Sequence, residues 1–163
     1  MRILTLHFGV LEIEPEQVLE FEQGPIPFVA LRRYILLSRE DEEPFQWLQS
    51  VEVPHLALVT LPVTMGPAEF RPRLGPGDQE WLGLRDGGEP VWLMTVAFGG
   101  GGEADLTPSA AHEGGEDCDA WGITANLLGP IALNLATRRG KQVIQDLDTS
   151  WARTPVPEVA QQP

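Results

Sequence analysis

The chain has 163 residues, of which 42% are hydrophobic, and this is enough for one domain with a substantial core. Its formal net charge of -13 disfavours direct nucleic-acid binding, because that affinity depends largely on Lys and Arg side chains that neutralise phosphates. A single cysteine, Cys118, excludes an internal disulfide and a cysteine-based zinc site.

The first third of the chain favours short strands. Residues 3–14 alternate in hydrophobicity around a glycine and predict a hairpin. Residues 18–21 fit a short strand, residues 28–33 a helical turn, and residues 34–37 an apolar strand. The acidic run at 40–43, which a proline follows, predicts a surface turn.

The middle third continues this pattern and adds one helix. Residues 45–50 predict a strand with alternating faces, and residues 55–61 are apolar on both faces, which is typical of a buried strand. Asp78 is the expected N-cap of a short helix that carries Trp81 and Leu82, because its carboxylate can accept from free backbone N–H groups. Residues 91–98 predict another buried strand.

Composition changes after that strand. Residues 99–122 are acidic and glycine-rich and contain no Lys or Arg, which favours a flexible loop. Residues 131–136 then alternate as a strand, and 141–145 form its return partner, so Arg138 to Gly140 is the expected hairpin tip. Residues 150–163 contain three prolines and predict a disordered C-terminal tail.

These elements indicate an all-β, mainly antiparallel fold, a small barrel-like β-sandwich with one or two short helices. We expect a single domain over residues 1–149. No apolar run approaches the roughly 18 to 20 residues of a membrane-spanning helix, and the first residues do not resemble a secretory signal. We therefore expect a cytoplasmic protein without membrane contact.

The sequence offers little chemistry for catalysis. A phosphate-binding loop would need Gly at 135 and Ser or Thr at 142, where the chain has Leu135 and Gln142. The stretch at 112–119 gathers His, Cys and carboxylates without recognised metal spacing, and no G-x-S-x-G motif occurs. We expect no cofactor, no metal and no enzymatic activity. The alternative is a small-ligand or metal-dependent enzyme that uses the acidic loop.

Two longer stretches resemble a known family. They read "PFQWLQSVEVPHLALVTLP" from residue 44 and "TANLLGPIALNLATRRGKQVIQD" from residue 124, and they resemble the signature stretches of the flagellar assembly factor FliW family. The N-terminal "HFGVLEIEPEQVLEFEQGPIPFVALRRYILL" supports the resemblance, which covers nearly all of residues 2–148. The expanded acidic loop at 99–122 and the "QGPIPF" turn depart from the family pattern.

The resemblance implies a non-catalytic, β-rich protein that binds other proteins. Members of this family antagonise the translational regulator CsrA and alternatively bind newly made flagellin, which couples flagellin synthesis to export. For this chain the resemblance therefore implies a CsrA-like regulator and flagellin as partners, without direct binding to nucleic acid, and a monomer when free.

Matching motif positions supply the partner-binding candidates. They are Phe45, Trp47, Gln49, Asn126, Pro130, Asn134, Arg138, Arg139, Lys141 and Gln142. The alternative interpretation of these residues is structural, because the two asparagines can satisfy backbone groups and the proline can fix a bend.

Overall fold

The elements of the fold are almost all β-strands. The computed structural model describes residues 1–85, 87–98 and 123–156. The strands are β1 (Arg2–Thr5), β2 (Gly9–Glu12), β3 (Leu19–Phe21), β4 (Arg33–Ser38), β5 (Gln46–Ser50), β6 (Ala57–Pro62), β7 (Val91–Phe98), β8 (Ile123–Asn134), β9 (Arg139–Gln142) and β10 (Thr154–Pro155). Helix α1 spans Pro76–Leu82, and 3-10 turns span Pro15–Gln17, Glu40–Glu42, Val63–Met65 and Thr149–Arg153.

Seven of these strands close into a barrel. They are hydrogen-bonded in the order β8-β7-β6-β5-β4-β3-β9, and β9 pairs again with β8 to complete the circle. All of these pairings are antiparallel except that between β3 and β9, in which Phe21 lies opposite Gly140. The expected mainly antiparallel, barrel-like all-β fold with a short helix is therefore confirmed.

Alternation along the strands divides the apolar residues between the barrel interior and its outer face. Side chains that point to one face of each strand fill the interior. This inner core contains Leu19, Phe21, Tyr34, Leu48, Leu93, Ile131 and Leu133. At roughly 1.5 to 3 kcal/mol for each large apolar side chain that is fully buried, this cluster is a major source of stability.

Other elements cover the outer face of the barrel. The β1–β2 hairpin packs Ile3 and Ile13 against Ile35 of β4. Helix α1 buries Leu82 against Ala132 of β8. A third cluster joins the outward residues of β6, β7 and β8 to the segments around 63–70 and 151–156.

The structure differs from the prediction at residues 28–33 and at the start of helix α1. Residues 28–33 form hydrogen-bonded turns and no helical turn, with Phe28 N–H donating to Pro25 O and Leu31 N–H to Phe28 O. Gly75, not Asp78, is the N-cap of α1. Asp78 is the third helical residue, and its carboxylate accepts from Gly75 N–H at 2.8 Å. The carboxylate still satisfies a free donor, but from inside the first turn.

The hairpin between β8 and β9 is present, with its turn earlier than expected. The turn comprises residues 135–138, while Arg139 and Gly140 already pair with Asn134 and Leu133. The prediction of the tip at Arg138 to Gly140 is therefore wrong, because the turn ends two residues earlier, at Arg138. Strand pairing extends further toward the turn because Gly140 must lie inside the barrel wall against Phe21.

The first part of the expected tail is ordered against the barrel. Residues 149–155 form a 3-10 turn and β10, which pairs with β8. Val156 is buried, and the Trp151 ring lies 5.8 Å from the Phe70 ring. The apolar side chains at 151 and 156 account for this packing despite the prolines. Residues 157–163 and the predicted loop at 99–122 lie outside the described residues.

Candidate protein-binding surface

An apolar groove of about 540 Å³ opens on the outer face of the barrel, over β5 and β6. Leu48 points into the barrel, so Trp47 on the same strand faces outward into this groove. The turn between β1 and β2 and the end of β7 contribute to its walls. Its lining comprises Leu6, His7, Glu42, Phe45, Trp47, Gln49, His55, Ala57, Val59 and Phe98, and we refer to these residues as the Trp47 groove.

The indole of Trp47 is held in place from two sides. Its Nε1–H donates to Glu42 Oε2 at 2.8 Å. The His7 ring stacks on it with a centroid separation of 3.8 Å and an interplanar angle of 27°. His7 Nε2 lies 3.3 Å from the other oxygen of the Glu42 carboxylate. The central aromatic side chain of the groove is thus fixed before any partner binds, which limits the entropy lost on association.

Phe45 and Gln49 occupy different positions in the same groove. The Phe45 ring lies 5.7 Å from the ring of Phe98 at the end of β7. Gln49 is buried, and its amide donates to the carbonyl oxygens of Pro54, Leu56 and Ser50 at 2.9 to 3.0 Å. Gln49 therefore holds the loop that joins β5 to β6, whereas Phe45 and Trp47 supply apolar surface.

Asn126, Pro130 and Asn134 lie on β8 and form contacts within the chain. Asn126 Oδ1 accepts from two consecutive backbone N–H groups, those of Leu128 and Gly129, at 3.1 Å each. Pro130 is buried, and its carbonyl oxygen accepts from Val143 N–H. Asn134 Nδ2 donates to Leu82 O at 2.8 Å, so it binds a carbonyl at the C-terminal end of α1.

The basic residues that follow β8 also bind groups of this chain. Arg138 Nη1 donates to Pro15 O at 3.3 Å. Arg139 Nη1 donates to Trp81 O at 2.9 Å, and its guanidinium carbon lies 4.8 Å from the centroid of the Trp81 ring. Lys141 Nζ lies 2.7 Å from Asp78 Oδ1 and 3.0 Å from Glu22 Oε2.

The pair formed by Lys141 and Asp78 shifts the protonation equilibria of both groups. The hydrogen bond to Asp78 raises the pKa of Lys141 against the opposing effect of burial, and Glu22 adds to the rise. Burial acts to raise the pKa of Asp78, but hydrogen bonds from Lys141 and from the Gly75 amide hold it below its usual range. Both shifts favour the charged pair.

Gln142 joins β9 to the segment after β3. Its Nε2 donates to Gly129 O at 3.0 Å, and its Oε1 accepts from Ile26 N–H at 2.8 Å. A smaller depression of about 300 Å³ lies beside it, with Ile26, Val29 and Ile144 in its lining. The structure thus separates the predicted partner residues into the Trp47 groove and the β8–β9 region.

Comparison with known proteins identifies the family. The family model described as FliW protein matches residues 2–107. The chain belongs to the FliW family. The flagellar assembly factor FliW of Geobacter sulfurreducens is 31% identical over 144 residues, which cover 88% of this chain and 79% of that protein.

Two further relatives extend the match over most of the chain. The flagellar assembly factor FliW of Leptospira interrogans is 29% identical over 160 residues, covering 98% of this chain and 95% of the relative. A crystal structure of a flagellar assembly factor FliW superposes with a TM-score of 0.71 at 27% identity and covers 94% of each chain. The resemblance seen in the signature stretches is confirmed, and this FliW-family chain shares the fold of that relative.

Seven groove residues of this FliW-family chain were not predicted as site residues: Leu6, His7, Glu42, His55, Ala57, Val59 and Phe98. Alternation places Leu6 on the same hairpin face as Leu4, and both side chains are highly exposed, at 84% and 70%. The run "EDEEPFQW" contains a weak local signal, because a carboxylate five residues before Trp47 can reach its indole. The stacking of His7 on Trp47 joins distant parts of the chain, so no local pattern indicates it.

Within the described parts of the FliW-family chain, no cluster of three or more His, Cys, Asp or Glu side chains is arranged to hold a metal ion. The described helix is too short to cross a membrane. The motif at 112–119, with Cys118, and the acidic loop on which the enzymatic alternative depends lie outside the described residues.

Proposed function

We propose that this protein acts as a flagellar assembly factor, as its relatives are named, and that it does so by binding other proteins. It binds a CsrA-like translational regulator and antagonises it, and it binds flagellin, so that flagellin synthesis is coupled to export. It acts in the cytoplasm as a monomer when free, and it catalyses no reaction and requires no cofactor.

The Trp47 groove is the observation that carries this proposal. Trp47 and Phe45 present aromatic surface on the outer face of the barrel, and aromatic side chains dominate the binding energy of many protein interfaces. Their orientation is fixed by contacts within the chain, with Glu42 and His7 on Trp47 and Phe98 on Phe45. A preorganised aromatic surface of this kind suits protein recognition.

The net charge supports the regulator as one partner. A protein with a formal net charge of -13 attracts a basic surface and repels a polyanion. When it is bound beside the basic RNA-binding surface of a translational regulator, it disfavours simultaneous binding of mRNA through electrostatic repulsion.

Co-elution of purified proteins tests the function. We expect the protein to co-elute in size-exclusion chromatography with CsrA, with flagellin, or with each in separate mixtures. Absence of co-elution with both partners contradicts the proposal. If electrostatic attraction contributes to CsrA binding, reversing the charges at 40–43 weakens that binding and reduces its salt dependence. Affinity for CsrA that is unchanged at low and at high salt contradicts this electrostatic contribution.

A further inference from the structure

We propose that the Trp47 groove binds an amphipathic helix of a partner protein, with an apolar stripe against the groove and Lys or Arg beside that stripe. The inference deepens the proposed function and rests on it, because it assumes that the partner is a protein. Four properties of the groove support this assignment: its apolar surface, the internal hydrogen bonds of Trp47 and Gln49, its fully paired floor strands and its acidic border.

The hairpin that carries Leu6 also exposes other apolar side chains. Leu6 lines the groove and is 84% exposed. Next to it on the hairpin, Leu4 and Val10 lie directly opposite each other, and both are exposed. Their neighbours Ile3 and Thr5 point the other way and are buried against the barrel. One face of the hairpin therefore presents apolar side chains to solvent, beside the Leu6 side chain that lines the groove, and such surface commonly marks an interaction site.

Two polar side chains of the groove, Trp47 and Gln49, are poorly placed to orient a small ligand. The Trp47 indole N–H is used by Glu42, and the Gln49 amide donates to three backbone carbonyl oxygens. Small-molecule sites combine apolar walls with convergent polar groups that orient the ligand. Because these donors are already used within the chain, apolar side chains of a larger partner fit the groove better.

The pairing of the floor strands favours a helix over an added strand. Strand β5 is paired with β4 on one side and β6 on the other, and β6 is paired with β5 and β7. Strand addition needs a free sheet edge, which neither β5 nor β6 has. A partner must therefore contact the groove through side chains, as an amphipathic helix does with residues at i, i+3, i+4 and i+7.

The border of the groove is acidic, and this determines the charge of the partner. The run at 40–43 contains four consecutive carboxylates, and one of them, Glu42, lines the groove. Arg39 lies 3.4 Å from Asp41 and 3.8 Å from Glu42, so this cation balances part of that charge. A basic helix complements the remainder. A second copy of this chain brings another acidic run and a net charge of -13, so self-association at this face is disfavoured.

Designed peptides test the inference directly. The probe is a fluorescently labelled amphipathic helix with a leucine stripe and flanking lysines. A second peptide keeps the leucines and replaces the lysines with glutamates, and a third keeps the lysines and replaces the leucines with alanines. We expect the first peptide to bind at least about tenfold more tightly than either of the others, as measured by fluorescence anisotropy. Equal affinities for the lysine and glutamate peptides overturn the assignment.

Variants of the intact protein localise the binding. Leu6→Asp alters an exposed side chain and is expected to lower the affinity for the lysine peptide about tenfold. Leu135→Asp alters an exposed residue of the β8–β9 turn and is the matched control. Glu43→Lys is expected to weaken it as well. Its control is Glu89→Lys, which is exposed and lies before β7, at the opposite end of that strand from Phe98. Affinities within twofold of wild type for both Leu6→Asp and Glu43→Lys overturn the inference.

The two proposals fail in different ways. If wild type binds CsrA or flagellin and Leu6→Asp binds it with equal affinity, the groove assignment is wrong and the proposed function stands. If wild type binds neither protein, the proposed function fails, and the peptide affinities alone decide the groove assignment. In a third outcome, Leu6→Asp no longer binds the lysine peptide or one of the two proteins, while Leu135→Asp still binds that peptide and that protein. This result supports the groove assignment and the proposed function together.

Discussion

Lys141 Nζ lies 2.7 Å from Asp78 Oδ1, and this ion pair joins β9 of the barrel to the first turn of α1. The same ammonium lies 3.0 Å from Glu22 Oε2, just after β3. The basic segment was predicted from the sequence to bind a partner. One of its charges, on Lys141, links β9, helix α1 and the segment just after β3.

Removal of this ammonium should destabilise the fold. Lys141→Met keeps much of the apolar stem but leaves the Asp78 carboxylate without its cation, so we expect the free energy of unfolding to fall by about 1 kcal/mol. Urea denaturation measures the change. Arg2→Met is the control, because its pair with Glu12 is longer, at 3.9 Å, and both side chains are largely exposed. Equal losses in the two variants contradict the structural role of Lys141.

The coupling between Lys141 and Asp78 should depend on pH. The pKa of Asp78 is lowered in the folded state, so its contribution is present above the unfolded value, about 4, and is lost as pH falls through the lowered folded value. A double-mutant cycle with Asp78→Asn and Lys141→Met should give a coupling energy near neutral pH that disappears below that folded value. A coupling that persists when Asp78 is protonated contradicts an ionic origin.

Gly140 should resist substitution because it lies in the barrel wall. A Cβ atom at this position would lie 2.6 Å from the Phe21 ring and 2.8 Å from a methyl group of Leu133, both in the inner core. We expect Gly140→Ala to destabilise the protein by about 1 to 3 kcal/mol, as overpacking does. Gly77→Ala is the matched control, since a Cβ atom there would have no neighbour within 4 Å and alanine favours the helix. Urea denaturation of both variants should therefore give shifts of opposite sign.

The strands could be predicted because their signal is local. The alternation at 45–50 and the apolar run at 91–98 correspond to β5 and β7 almost residue for residue. Closure of the barrel was harder to predict from the sequence. It depends on the parallel pairing of Glu20 and Phe21 with Arg139 and Gly140, which lie near opposite ends of the chain. The same pairing explains why Gly140 belongs to a strand and not to the predicted turn.

The candidate site was predicted only in part for a related reason. Phe45 and Trp47 lie in the groove, but its other wall comes from the β1–β2 turn, where Leu6 is exposed and His7 stacks on the indole. Hydrophobic alternation treats an exposed leucine as a core residue, so Leu6 gave no functional signal. The contacts of Asn134 and Lys141 with α1 likewise became visible only when the helix was placed beside β9.

Tyr34 should make the protein sensitive to alkaline pH. Its side chain is buried in the inner core, and within the described residues its hydroxyl has no hydrogen-bond partner. Burial, with a smaller effect of the Glu52 charge, raises the pKa of Tyr34 to about 12. Because the folded pKa exceeds the unfolded value of about 10, the protein loses stability as pH rises from about 10 to 12.

Tyr34→Phe isolates this effect. Near neutral pH we expect the variant to be as stable as wild type or up to about 1 kcal/mol more stable, because a buried hydroxyl without a partner is removed. Between about pH 10 and 12 wild type should lose more stability than the variant, because all other titratable groups are common to both proteins. Parallel stability profiles over that range in urea denaturation contradict the assignment to Tyr34.

Arg138 offers a way to separate scaffold from partner contact in the β8–β9 region. Its backbone φ is +58°, a left-handed conformation that costs a non-glycine residue about 1 kcal/mol, and its side chain is exposed. Arg138→Gly removes both the backbone strain and the guanidinium. The greater freedom of glycine in the unfolded chain offsets part of the gain. We therefore expect the free energy of unfolding to equal that of wild type or to exceed it by up to about 1 kcal/mol. If Arg138 contacts a partner, affinity for CsrA or flagellin falls while stability does not. Arg138→Lys is the control, because it keeps the charge and the strained backbone and should keep most of the affinity. Binding of Arg138→Gly at the wild-type level, measured by titration calorimetry, makes Arg138 a turn residue without a role in recognition.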